Sequence, residues 1–89
     1  MIKSNILVVN KLGLHARASA KLAQEANHYS SRITLEHMGQ TVDCKSIMSI
    51  MLLAAGVGTE LAITVEGDDE KAAHEAIVSL FANMFGEEE

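Results

Sequence analysis

The sequence predicts an α+β fold: one four-stranded sheet with three helices packed on a single face. Three observations carry this. Short runs of β-favouring residues recur at Asn5–Val9, Arg32–Glu36, Thr41–Asp43 and Glu60–Glu66. Between and after them lie Ala- and Met-rich segments with apolar residues at helical spacing. The length of 89 residues suits one compact domain, 1–89, without linker, repeat or low-complexity stretch. The order is strand, helix, strand, strand, helix, strand, helix. Each strand–helix–strand unit is expected to cross right-handed, which gathers the helices on one side. The other side then faces water, in line with Thr34, Glu36, Thr64 and Glu66 alternating outward.

The first strand is the apolar run Asn5–Val9, and Asn10–Gly13 turns the chain. The first helix runs from Ala16 to Asn27, with Ala16, Ala20, Ala23, Ala26 and Leu22 at helical spacing. Tyr29–Ser31 leads out of it into Arg32–Glu36, where Ile33 and Leu35 face inward. Met38-Gly39-Gln40 reads as a hairpin loop in which Gly39 takes positive φ. Ser46 is a good N-cap for a short helix, Ile47 to about Leu53, which Gly56 and Gly58 end. Glu60–Glu66 turns Leu61, Ile63 and Val65 to one face. Gly67-Asp68-Asp69 opens the last helix with acids suited to its dipole. That helix carries Ala72, Ala76, Leu80 and Met84 at i,i+4, with Ala73, Ile77 and Phe81 beside them, and Gly86 as its stop.

With no Trp, one Tyr and two Phe, the core must be aliphatic. So short a chain has no room for a cleft between domains, and a surface site acting on another protein suits it better. A single cysteine, Cys44, excludes an internal disulfide and points to a reducing compartment. There is no signal-peptide pattern and no apolar run near the roughly 20 residues of a membrane span. A cytoplasmic protein without membrane insertion is expected, monomeric by default. Residues 1–59 hold six Lys or Arg against three acids, whereas residues 60–89 hold one Lys against nine acids. The mildly basic part favours an acidic protein partner. It has too few cations and no aromatic platform for nucleic acid. Glu87–Glu89 reads as a solvated tail.

The run Lys11-Leu12-Gly13-Leu14-His15-Ala16-Arg17-Ala18 carries the chemistry. It places a histidine after a glycine turn and at the head of a helix, where backbone N–H groups and the dipole favour an anion such as phosphate. An imidazole, with an ordinary pKa of roughly 6.5, offers a neutral nucleophilic form near neutral pH. Its ring nitrogen can attack a phosphoryl group and carry it covalently. The N–H groups of Ala16 and Arg17 suit positioning, and the Arg17 guanidinium matches two phosphoryl oxygens. The helix terminus adds only about 0.3–1 kcal/mol, up to about 2 when partly buried, which poises a phosphohistidine rather than trapping it. On these residues alone, a histidine that merely caps a helix is the plainer reading. Ser46 alone reads as an ordinary cap, and Met48 and Met51 at helical spacing read as core. His28, His37 and His74 share no ligand spacing with Cys44, so no metal or cofactor is expected. Cys44 reads as a small half-buried cysteine. Gly56-Val57-Gly58 lacks the Lys-Ser/Thr ending of a phosphate loop.

Taken together, Gly13-Leu14-His15-Ala16-Arg17 and Lys45-Ser46-Ile47-Met48 resemble the histidine phosphocarrier (HPr) family of the bacterial phosphoenolpyruvate-dependent phosphotransferase system. The resemblance covers essentially the whole chain. Asn10-Lys11-Leu12-Gly13 is similar to the nitrogen-branch relative NPr, and Lys45–Met48 to sugar-branch carriers with a regulatory serine, so the branch stays open. The resemblance implies an open-faced β-sandwich, an antiparallel sheet of order 1-4-2-3 under three helices. It implies that His15 accepts phosphate on Nδ1 from phosphorylated enzyme I and passes it to EIIA proteins or domains, with Arg17 stabilising the phosphoryl group. Such a carrier is not an autonomous enzyme. Ser46 would be modified by an HPr kinase/phosphorylase where one exists, and a dianion there would repel acidic partners.

Two departures from the family pattern bear on this. Ala18 stands where many members have Pro, which leaves one more N–H near the phosphate site while keeping helix propensity. Gln24, Asn27 and Ser49 stand where sugar-branch members often have Lys. Docking then leans on Leu14, Ala20, Ile47, Met48 and Met51, with Arg17, Lys21 and Lys45 as cations. Two other readings remain: a regulatory HPr-like binding protein acting mainly through Ser46, and a small ligand-sensing domain in which His15 only caps its helix.

Overall fold

The computed structural model describes residues 1–88. Its elements are β1 (Ile2–Leu7), α1 (Ala16–Ala26), β2 (Arg32–His37), β3 (Gln40–Asp43), α2 (Ile47–Leu52), β4 (Glu60–Glu66), α3 (Glu70–Ala82) and a 3₁₀ turn, Met84–Gly86. The four strands form one antiparallel sheet in the order β1-β4-β2-β3, as the family resemblance implies. β1 and β2 therefore run parallel to each other with β4 inserted between them. Each strand–helix–strand unit is a split one, not a directly paired parallel crossover.

Period-two patterning sets the register. Ser4, Ile63, Leu35 and Val42 share one rung across all four strands. Ile2, Val65 and Ile33 make the next, and Ile6 pairs with Leu61. Ile33, Leu35, Leu61, Ile63 and Val65 are fully buried under the helices, whereas Glu36 and Glu66 are exposed on the other face. The core is aliphatic apart from Cys44, Phe81 and Phe85, and the two phenyl rings meet edge to face with centroids 4.9 Å apart.

Several boundaries differ from those expected. β1 begins at Ile2 and ends at Leu7, not Asn5–Val9. Its inward positions include Ser4, whose hydroxyl hydrogen-bonds His74 Nε2 at 2.8 Å, so the alternation is partly polar and reads weakly. The β2–β3 turn needs positive φ at Met38 as well as Gly39, which is the primed geometry a two-residue hairpin prefers. α2 ends before its glycines, because Ala54 itself takes positive φ. Asp69 occupies the N-cap position of α3 without capping it. Its carboxylate instead accepts from the Ser30 and Ser31 N–H groups and the Ser31 hydroxyl, tying α3 to the loop before β2. Of the two apolar rows on α3, Ala73, Ile77 and Phe81 take the core. The helix stops at Ala82, four residues before Gly86. Cys44 is fully buried rather than half-buried, and burial pushes its thiol up to about 12.

Candidate functional site

Three segments meet at one end of the helical layer: the β1–α1 loop, the chain after α2, and the 3₁₀ turn after α3. Gly13 joins the first two. Its φ of +66° belongs to the left-handed region, and a Cβ there would lie 2.5 Å from the Ala55 carbonyl oxygen. The neighbouring Leu14 N–H donates to that same carbonyl at 2.9 Å. Leu14 is thereby drawn into the core, 5% exposed, and supplies no surface for docking, contrary to the expectation for it.

The chain leaves this turn extended at His15 (φ −74°, ψ 179°) and enters α1 at Ala16. His15 holds the N-cap position, yet its ring makes no capping bond. The first intrahelical bond runs from the Ser19 N–H to the His15 carbonyl at 2.8 Å, so the N–H groups of Ala16, Arg17 and Ala18 precede the ladder. Ala16 and Arg17 are exposed, and Ala18 is buried. The imidazole is half-buried and turns the other way: Nε2 lies 2.6 Å from Oε2 of Glu87. The reading of His15 as a simple helix cap does not hold.

Glu87 also corrects the reading of the C-terminal acids as a solvated tail. Glu87 is half-buried, Glu88 is exposed, and Glu89 lies outside the described residues. The second carboxylate oxygen of Glu87 accepts from Asn10 Nδ2 at 3.1 Å. Asn10 is fully buried and also donates to the Gly13 carbonyl at 2.9 Å, while its own Oδ1 has no partner among the described residues. The His15 and Asn10 hydrogen bonds, helped by the nearby Lys21 charge, hold the Glu87 carboxyl below its ordinary pKa against the opposing effect of burial.

The turn that brings Glu87 here is unusual. Met84, Phe85 and Gly86 all have positive φ, at 54°, 55° and 79°. Left-handed backbone costs a non-glycine residue on the order of 1–2 kcal/mol. Burial of the Phe85 ring against Phe81 offsets that cost, and Lys21 Nζ donates to the Phe85 carbonyl at 2.6 Å.

The second motif forms a separate helix start beside the first. The Ser46 hydroxyl accepts from the Ser49 N–H at 3.2 Å, the capping geometry expected of it. Ile47, Met48 and Met51 are exposed (Met48 at 74%), so the methionine pair is surface and not core. Leu52 on the same helix and Leu12 in the β1–α1 loop are also exposed, though neither stood out in the sequence. Ala20 is half-buried. Lys45 is half-buried, its ammonium donating to the Tyr29 carbonyl at 2.8 Å, so it presents less charge to a partner than its position in the motif suggests. Asn10 and Glu87 went unremarked as site residues. No local pattern links Glu87 to Asn10, 77 residues before it, or to His15, 72 residues before it.

Comparison with known proteins identifies the family. Residues 2–83 match the family described as PTS HPr component phosphorylation site. The phosphocarrier protein HPr of Cupriavidus necator is 47% identical over 89 residues, covering 100% of both chains. That of Xylella fastidiosa is 47% identical over 88 residues, 99% of each chain. Among solved structures, HPr-C-His from Thermoanaerobacter tengcongensis superposes with a TM-score of 0.96, at 43% identity over 100% of both chains. The chain belongs to the HPr family of phosphocarrier proteins of the phosphotransferase system.

Proposed function

We propose that this chain carries a phosphoryl group on Nδ1 of His15, taking it from phosphorylated enzyme I and passing it to a histidine of an EIIA protein or domain. The observation that carries the reading is the position of His15. It stands half-buried at the start of α1, with its ring turned away from capping, beside N–H groups that precede the helical ladder. Phosphoryl transfer asks mainly for positioning and for charge to meet the phosphoryl oxygens. The Ala16 and Arg17 N–H groups serve the first need, and the Arg17 guanidinium, exposed on the first turn, serves the second.

Partners dock on the apolar surface of α2, through Ile47, Met48 and Met51, with Leu52 exposed on the same helix. Arg17 is the principal cation there, since the Lys21 and Lys45 ammoniums are turned to backbone carbonyls. Ser46 lies at the head of the same helix. A phosphate placed there by an HPr kinase/phosphorylase adds a dianion at the docking surface and repels acidic partners. The unit acts as a cytoplasmic monomer.

Incubation with enzyme I and labelled phosphoenolpyruvate tests the reading. Acid-labile, alkali-stable label that is lost in His15→Ala is expected. Folded wild-type protein that takes up no label refutes it, and label on Ser46 from an ATP-dependent kinase, with none on His15, makes the chain a regulatory binding protein instead.

A further inference from the structure

Resting on that reading of His15, we infer that Glu87 is a positioning residue for phosphoryl transfer, fixing the imidazole with its proton on Nε2 and its lone pair on Nδ1. A carboxylate can only accept hydrogen bonds. With Oε2 of Glu87 2.6 Å from Nε2, that nitrogen must carry the hydrogen. In the neutral ring Nδ1 is then the only nucleophilic atom.

The carboxylate is itself held. Asn10 Nδ2 donates to its other oxygen, and the same amide bridges to the Gly13 carbonyl in the turn that delivers His15. Histidine, glutamate, asparagine and the glycine turn thus form one connected chain. The left-handed run Met84–Gly86 supplies a second, independent observation. Strained backbone persists only where its surroundings over-determine it, and such strain gathers at functional sites. Here it buries Phe85 and turns the Glu87 side chain onto His15.

The step balances. The Nδ1 lone pair of His15 forms the new N–P bond, and the P–N bond of the donor phosphohistidine breaks with its electron pair going to the donor nitrogen. Nε2 keeps its proton throughout, so the His15 ring gains a positive charge as the bond forms. The Glu87 carboxylate faces that charge. In the onward step the same proton keeps the ring a good leaving group, and Nδ1 regains its lone pair.

The test compares wild type with Glu87→Ala and Glu87→Gln, each checked by its amide NMR spectrum for an intact fold. ¹⁵N shifts of the His15 ring in the unphosphorylated proteins read the tautomer without any partner. ³¹P shifts and transfer rates with phosphorylated enzyme I read the consequence. Wild type is expected to hold its neutral ring almost wholly as the Nε2–H form. In Glu87→Ala that population falls, and transfer slows roughly 10- to 100-fold, the scale on which partners that orient a ligand histidine act. Glu87→Gln should fall between, because its single amide oxygen cannot serve both His15 and Asn10. A tautomer ratio and rate in Glu87→Ala equal to wild type overturn the assignment to Glu87. Failure of wild type to be phosphorylated on His15 overturns the reading on which it rests, and the ring ¹⁵N shifts tell the two failures apart.

Discussion

Gly13 allows no side chain, and the reason is local. Its backbone is left-handed, and the Ala55 carbonyl stands where a Cβ would go. Gly13→Ala is expected to destabilise the fold by about 1–3 kcal/mol, the cost of forcing a side chain into such backbone. It should also disturb the His15 ring, because the Leu14 N–H shares the Ala55 carbonyl. A urea midpoint and the His15 ring shifts check the two effects together. The helix starts at His15 and Ser46 were legible in their residue types, whereas His15, Arg17 and Ser46 stood out as site candidates only through the family that the two motifs together resemble. Glu87 was not legible. It sits in an acidic tripeptide with the composition of a solvated tail, and only the left-handed turn before it brings it back to the site. That turn carries no sequence signature, since two of its three positive-φ residues are Met84 and Phe85.

At the scale of elements, the strands with clean alternation, Arg32–Glu36 and Glu60–Glu66, were read nearly to the residue. β1 was misplaced because Ser4 breaks its apolar face. The phase of α3 was ambiguous for the opposite reason: it is apolar on too many sides, and only packing decides that Ile77 and Phe81 point inward. Asp69 shows how an element end can be fixed by a tertiary partner instead of a cap. The Ser31 hydroxyl and the Ser30 N–H hold its carboxyl below the usual range. Its folded pKa is lowered, so its contribution is fully present above the unfolded-chain value, roughly 3.9 for Asp. It is lost as pH falls through the lowered folded value. The stability gap between wild type and Asp69→Asn is therefore expected to be widest near neutral pH and to close in acid. Urea midpoints of the two proteins across a pH series measure it, and a gap that does not narrow in acid contradicts the assignment.

For the molecule as a whole, β4 is the pivot: it lies between β1 and β2, which do not pair with each other. Ile63 sits at its centre, fully buried between Ser4 and Leu35. Ile63→Ala is expected to cost about 2–5 kcal/mol, a large share of the roughly 5–15 kcal/mol that holds a domain together. Denaturant unfolding followed by circular dichroism checks it. The charge asymmetry of the sequence also takes on meaning at this scale, since one of the C-terminal acids is bound back onto the more basic half at His15. The insertion of β4 between β1 and β2 has a consequence for the newborn chain. As the ribosome releases residues in order, β2 and β3 can pair as a hairpin, but a lone hairpin is marginal in water. β1 must wait, without a neighbour, for a strand synthesised more than fifty residues later. The sheet then closes by threading its last strand into its middle, and the surroundings of His15 are complete only once β4, α3 and Glu87 beyond them have been made.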